Sequence, residues 1–154
     1  MTQRINPYAV APKLLDELIR YSRTVEAMGL EKSLLELVKI RASQINGCAI
    51  CLHMHTAEAR KRGETEERIF MLDAWAESPL YSDRERAALA WTDALTRLTD
   101  SHAPDDVYAM VKREFSEEEQ VKLTLMIAAI NSFNRIGVGF RLKHPVDVKK
   151  QSAA

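Results

Sequence analysis

Residues 48–55 read Cys-Ala-Ile-Cys-Leu-His-Met-His and hold both cysteines of the 154-residue chain and two of its four histidines. On a helix turning about 100° per residue, Cys51 falls at about 300° from Cys48 and His55 at about 340°, so these three share one face. His53 falls at about 140°, on the far side. Two thiols one turn apart beside an imidazole suit three kinds of chemistry. They can cycle between dithiol and disulfide, hold zinc with further ligands, or act as a redox sensor whose oxidation switches an assembly.

The first of these needs more than a lowered thiol pKa. Asn46-Gly47 should end one helix, leaving both cysteines in the first turn of the next, where unpaired N–H groups favour thiolate. A free cysteine of pKa about 8.5 is only about 3% thiolate at pH 7, and lowering the pKa by about two units raises that fraction roughly 25-fold. Nucleophilicity falls with pKa and cancels roughly 8-fold of the gain, leaving a net benefit of about 3-fold. A dithiol catalyst therefore also needs a group that moves protons. His55 is spaced to reach Cys51 across one turn, and a carboxylate behind it would orient the ring. Glu36 is the candidate, because it lies in Leu-Leu-Glu-Leu-Val-Lys-Ile and a packed helix of that composition cannot leave it wholly in solvent. Lys39 or Arg41 would be its salt-bridge partners in a purely structural role.

The elements that position these groups are expected to be helices. Apolar residues recur at helical spacing and β-branched alternating runs are absent. Helices are predicted at about 12–28, 31–44, 48–61 and 65–75. Capping boxes Ser82/Glu85 and Ser116/Glu119 open two more, to Thr96 and to about Arg135, and Pro104 starts a short helix to about Arg113. Residues 149–154 read as a frayed tail. The expectation is one all-α domain of about seven helices. A faint echo superposes Glu-Leu-Val-Lys-Ile at 36 on Glu-Gln-Val-Lys-Leu at 119, registering Cys48 on Asn131 and Cys51 on Asn134. A duplicated helical hairpin and chance similarity both account for it. Asn131, Asn134 and Arg135 would satisfy a buried hydrogen-bond network. Trp75 and Trp91 would pack in the core or an interface, and Met54, Met71, Met110 and Met126 would fill gaps, some beside an apolar pocket.

Bulk properties exclude several functions. Lys plus Arg and Asp plus Glu each number 22, and no basic block forms, so neither nucleic acid nor an anionic membrane is expected as a partner. Near-zero net charge is compatible with self-association. The N-terminus lacks the apolar region of a signal peptide, and no stretch was expected to reach the roughly 18 apolar residues needed to cross a bilayer. The chain reads as cytoplasmic, where a Cys-x-x-Cys pair serves catalysis or metal binding more often than stapling.

Glu36, Cys48, Cys51 and His55 form the pattern E-x11-C-x2-C-x3-H, which resembles the AhpD-type alkylhydroperoxidase core of the carboxymuconolactone decarboxylase-like superfamily. The likeness extends to R-A-S-Q-I-N-G-C before the dithiol, H-T-A-E-A-R-K-R-G after it, R-E-R-A-A-L-A-W at 84–91 and A-A-I-N-S-F-N-R at 128–135. It spans residues 14–144. The resemblance implies an all-helical AhpD-like domain assembled as a homotrimer or as a homohexamer of trimers. It implies reduction of an alkyl hydroperoxide or a disulfide through a reversible Cys48–Cys51 disulfide. Carried over by position, Cys51 is the thiol oxidised to sulfenic acid, Cys48 the resolving thiol and proton donor, and His55 with Glu36 the proton relay. No flavin, haem or metal is implied. Electrons would come from an external dithiol, a lipoyl or thioredoxin-like protein. The chain is shorter than the AhpD proteins that serve as reductants of a peroxiredoxin. The decarboxylase branch lacks the dithiol, which argues against lactone decarboxylation.

A zinc module using Cys48, Cys51, His55 and Glu36 or His53 is the alternative, although zinc sites usually draw ligand pairs from separate segments. A redox sensor built on the same cysteines is the third reading. His53, His102 and His144 carry no argument of their own.

Overall fold

A computed structural model describes residues 2–145. Among them lie nine α-helices and one short 3-10 turn, with no strand: α1 (Pro7–Val10), α2 (Pro12–Glu26), α3 (Lys32–Asn46), α4 (Ala49–Lys61), α5 (Glu66–Met71), the 3-10 turn Leu72–Ala74, α6 (Asp83–Thr96), α7 (Leu98–Ser101), α8 (Asp105–Glu114) and α9 (Glu117–Phe140). The expected frayed tail at 149–154 lies outside the described residues.

Helix α3 is the axis of the fold. Every residue from Leu34 to Ser43 is buried, including Glu36, Lys39 and Arg41, so this helix has no solvent face over ten positions. It packs against α4, α6 and α9, while α2 lies on α9 and α8 on α6. One apolar cluster fills the space between α2, α3, α6, α8 and α9, around Leu35, Val38, Met126 and Ile127. A second joins α3 to α4, α5 and α6 through Leu37, Ile40, Leu72 and Leu89, with Trp75 packed against it. Ala42, Cys48, Cys51 and Ile130 form a third, small cluster with Ile50 and Phe133 beside it. The dithiol is thus part of the core.

Gly47 makes this possible. It ends α3 in the left-handed region at φ 64°, and its N–H returns to the Gln44 and Ser43 carbonyls. The Cys48 amide donates to the Ser43 carbonyl at 3.0 Å, and Cys48 is already the N-cap of α4. The chain therefore reverses within two residues, and α4 runs back along α3. This hairpin brings His55, seven residues after the turn, beside Glu36, eleven residues before it.

Both capping boxes form, at Ser82/Glu85 and Ser116/Glu119. The chief departures from the sequence reading are at helix ends. Helix α9 runs past Arg135, its expected end, to Phe140 and contains Gly137 and Gly139. The four-residue helices α1 and α7 are too short for periodicity to reveal. The segment read as one helix at 65–75 divides into α5 and the 3-10 turn.

The internal echo does not extend to structure: Ile130 takes the place of Gly47, and α9 continues straight where α3 and α4 break. A second correction concerns apolar length. By length and composition α9 suffices to cross a bilayer, which the sequence reading had excluded for every stretch. Here it is the helix on which α2, α3, α4 and α6 pack, with Leu123, Met126, Ile127 and Ile130 buried.

Candidate active site

Glu36 and Lys39 lie one turn apart on α3, both sealed from solvent. The Lys39 ammonium donates to Glu36 Oε1 at 2.7 Å and to Glu26 Oε1 on α2 at 2.8 Å. The other oxygen of Glu36 meets His55 Nδ1 at 3.1 Å. Burial pushes the Glu36 carboxyl up, but the hydrogen bonds from His55 and Lys39 outweigh it and hold the group below the usual carboxylate value. An ionised Glu36 fixes the His55 tautomer: Nδ1 carries the proton toward the carboxylate, and Nε2 is left for proton transfer. Glu36 therefore meets the structural partner named from sequence, Lys39, and the catalytic one, His55, with different oxygens. Arg41 is occupied elsewhere, bridging Asp73 and, at 2.6 and 2.8 Å, Asp93.

The two sulphurs are 2.6 Å apart, and both cysteines are free thiols. They differ in access. Cys48 has no exposed surface, whereas Cys51 retains 6% and opens, with His55, on a cavity of about 650 Å³. They also differ in charge. The hydrogen bond from Cys51 holds Cys48 down, at about 7, against the opposing effect of burial, and the backbone amides of Cys51 and Ile50 at the start of α4 add to it. Cys51 is pushed up, first by its bond to Cys48 and then by burial and the neighbouring charge. Of the two, the sealed sulphur is therefore the one that ionises first. Sequence reasoning treated the helix start as favouring thiolate at both cysteines. Only the N-cap cysteine gains, because two thiolates at this separation repel.

Helix α9 walls the dithiol with Asn134 and Gly137, one turn apart. A Cβ at Gly137 would stand 2.7 Å from Cys48 Sγ and 3.0 Å from Ile50. Asn134 is buried, donates to Ser43 Oγ and accepts from Asn46 Nδ2, each at 3.0 Å. Its amide lowers the pKa of both thiols. Asn46 also donates to Asn131 Oδ1 at 2.9 Å, and Arg135 reaches the same oxygen at 3.1 Å. The polar cluster read from sequence is thus a network, and its link to the dithiol was not foreseen. Tyr8 was missed as well. It lies on α1, lines the cavity, and burial followed by the nearby thiols raises its pKa.

Met54 and Met126 line the cavity, as expected of two of the methionines. His53 is exposed on the opposite side of α4 and stacks on His144, centroids 4.9 Å apart. The zinc reading needs a third convergent ligand. Among the described residues no three His, Cys, Asp or Glu side chains are arranged to hold a metal, and Glu36 is taken by Lys39 and His55.

Residues 12–94, which contain Glu36, Cys48, Cys51 and His55, match the carboxymuconolactone decarboxylase family. The structure superposes with a TM-score of 0.92 on a protein of unknown function from Agrobacterium tumefaciens described as an AhpD antioxidant-defence candidate. That protein is 44% identical, and the match covers 95% of this chain and 100% of that one. The uncharacterized protein YdfG of Bacillus subtilis is 41% identical over 138 residues, 90% of this chain and 94% of YdfG. A shorter stretch of 41 residues, 27% of this chain and 23% of the other, is 51% identical to the alkyl hydroperoxide reductase AhpD of Hyphomonas neptunium. The chain belongs to the carboxymuconolactone decarboxylase family, within its AhpD-like superfamily.

Proposed function

We propose that the protein is a thiol-dependent reductase of alkyl hydroperoxides or disulfides working through Cys48 and Cys51. The observation that carries this reading is the geometry of the pair: two thiols 2.6 Å apart, one of them opening on a cavity shared with a carboxylate-paired imidazole. The resting charge on Cys48 protects against adventitious oxidation, since that sulphur is sealed. Return of the shared proton from Cys51 to Cys48 makes Cys51 the thiolate when a peroxide occupies the cavity. The Cys51 sulphur attacks the terminal oxygen of ROOH and the O–O bond breaks. Ionisation of the thiol pair releases one proton, which His55 takes up on Nε2; the leaving RO⁻ takes that proton, giving ROH and Cys51 sulfenic acid. Ionised Glu36 stabilises the imidazolium before transfer and orients the ring after it. Cys48 then attacks the sulfenic sulphur and the disulfide forms. The hydroxide leaves as water with the remaining proton. In sum, two thiols and ROOH give a disulfide, ROH and water.

An external dithiol, carried by a lipoyl or thioredoxin-like protein, would return two electrons and two protons. Assembly as a homotrimer or homohexamer and residence in the cytoplasm complete the proposal. The test is stopped-flow thiol oxidation by cumene hydroperoxide followed by mass spectrometry. Loss of both thiols with formation of one Cys48–Cys51 disulfide is expected. Cys51→Ser should abolish turnover, while Cys48→Ser should stop at a sulfenic acid trapped by dimedone. Undiminished turnover in Cys51→Ser would overturn the mechanism.

A further inference from the structure

The cavity over Cys51 is built for more than a small peroxide. Its volume of about 650 Å³ falls within the range of roughly 300–1,000 Å³ typical of sites for drug-sized organic ligands. Hydrogen peroxide or a short alkyl hydroperoxide would leave most of it unfilled. The walls near the thiol are apolar, with Ile50, Met126, Ile130 and Phe133 among them. The mouth is different. Glu26 is the sole acidic residue among the described lining residues, and Lys39 occupies it. Lys39 in turn is taken by Glu26 and Glu36. Arg23 of α2 and Lys143, after α9, also line the cavity, are exposed, and form no ion pair among the described residues. Two exposed cations that line one cavity and form no ion pair among the described residues stand out in a chain with 22 basic and 22 acidic residues.

From this distribution we propose that the preferred substrates are amphipathic hydroperoxides with a carboxylate head, of the fatty-acid hydroperoxide class, and that Arg23 and Lys143 form the head-group subsite. The proposal rests on the peroxidase reading above and names its substrate class. A negative charge is unwelcome at the base, where the thiol pair holds one charge of its own, and is welcome at the mouth. The head therefore stays at the rim, and a hydroperoxide partway along the chain is directed toward Cys51. The chemical step is unchanged: ROOH and two thiols give ROH, water and the disulfide.

Single-turnover oxidation of the reduced protein needs no electron donor and isolates the subsite. The probes are linoleic acid hydroperoxide, its methyl ester and cumene hydroperoxide, all below micelle-forming concentrations. The free acid should react about 3- to 10-fold faster than the ester at low concentration, and the ratio should shrink as salt is raised. In Arg23→Gln/Lys143→Gln the acid-to-ester ratio should fall to about one. Equal rates for acid and ester in the wild type, or an acid preference that survives in the double variant, would overturn the subsite. If no peroxide oxidises the thiols, the peroxidase reading fails, and the subsite is then read by ligand protection. Linoleate should slow alkylation of Cys51 by a maleimide, methyl linoleate should not, and the double variant should lose the difference. Equal protection by both lipids would refute the head-group assignment on its own.

Discussion

Two glycines two residues apart on α9 offer a controlled measurement of how tightly the dithiol is packed. An alanine Cβ at Gly137 would sit 2.7 Å from Cys48 Sγ, 3.0 Å from Ile50 and 3.8 Å from Cys51 Sγ, whereas one at Gly139 meets nothing within 4 Å. Both substitutions gain helix propensity, about 0.5–1 kcal/mol in a helix interior and less in the last turn, where Gly139 lies. Gly137→Ala also incurs an overpacking cost of about 1–3 kcal/mol. Cys48 cannot swing aside freely, because it has no exposed surface and lies against Cys51 and the α9 wall. The propensity gains largely cancel between the variants, so their difference measures the clash. Gly139→Ala should be neutral or stabilising, and Gly137→Ala should fall about 1–3 kcal/mol below it. That corresponds to about 3–10 °C in melting temperature for a chain of this size. Urea denaturation of both reduced variants at one protein concentration is the assay, because self-association would otherwise shift the midpoints. Variants within about 0.5 kcal/mol of each other would mean that the α9–dithiol contact is loose and that α9 does not hold Cys48 in place.

Three further outcomes follow from the electrostatics and the network. Replacing Cys51 by Ala removes the donor chiefly responsible for holding Cys48 at about 7, so the pH midpoint for alkylation of Cys48 should rise toward the ordinary thiol range; an unchanged midpoint would put the effect elsewhere. In Asn134→Ala the Asn46 and Ser43 side chains lose a buried partner, costing about 1–3 kcal/mol in urea denaturation, and the first thiol titration should move upward. Glu36 has a depressed pKa when folded, so its stabilisation is fully present above the unfolded-state value of about 4.3 and is lost as pH falls through the folded value. The stability gap between wild type and Glu36→Gln should therefore be widest near neutrality and close as pH falls through the depressed folded-state value, and a gap independent of pH would exclude the ionised role of Glu36.

What the sequence revealed about the site follows from how local each relationship is. Cys48, Cys51 and His55 lie within one helix and its N-cap, so a 100° periodicity alone could put Cys51 and His55 on the face that lines the cavity and turn His53 outward. Glu36 was legible for another reason: one acid among five apolar neighbours must be buried and therefore partnered, although the partner's identity depends on the Gly47 reversal. Asn134, Gly137 and Tyr8 come from the two ends of the chain and reach the site only through packing of α1 and α9. No spacing rule connects position 8 or 137 with position 48. The helix expected to end near Arg135 continues through Gly137: glycine usually marks the end of a helix, and here it stays inside one, where a sulphur occupies the space of its missing side chain. The split of charge between the thiols was also hidden. Helix-terminus arguments act on position alone, whereas the split arises from a contact of 2.6 Å between the sulphurs.

That split separates two requirements that a single cysteine has to meet together. A reactive thiol must be ionised and it must be reachable, yet a sulphur meeting both at rest is open to every oxidant that diffuses past. Here Cys48, which does not line the cavity, is the sulphur that ionises first, and the access belongs to Cys51, whose pKa is pushed up. In the proposed mechanism, moving one proton between these sulphurs exchanges the roles. In the proposed mechanism the sulphur of Cys48 is already in contact with an oxidised Cys51, so disulfide closure would need no loop movement and would compete well with further oxidation to the sulfinic acid. At Glu36, burial pushes the carboxyl up, and the hydrogen bonds from His55 and Lys39 outweigh it and hold the group below its ordinary value. In the proposed mechanism the core position of the dithiol, costly for a polar site, sets the order of the chemical steps.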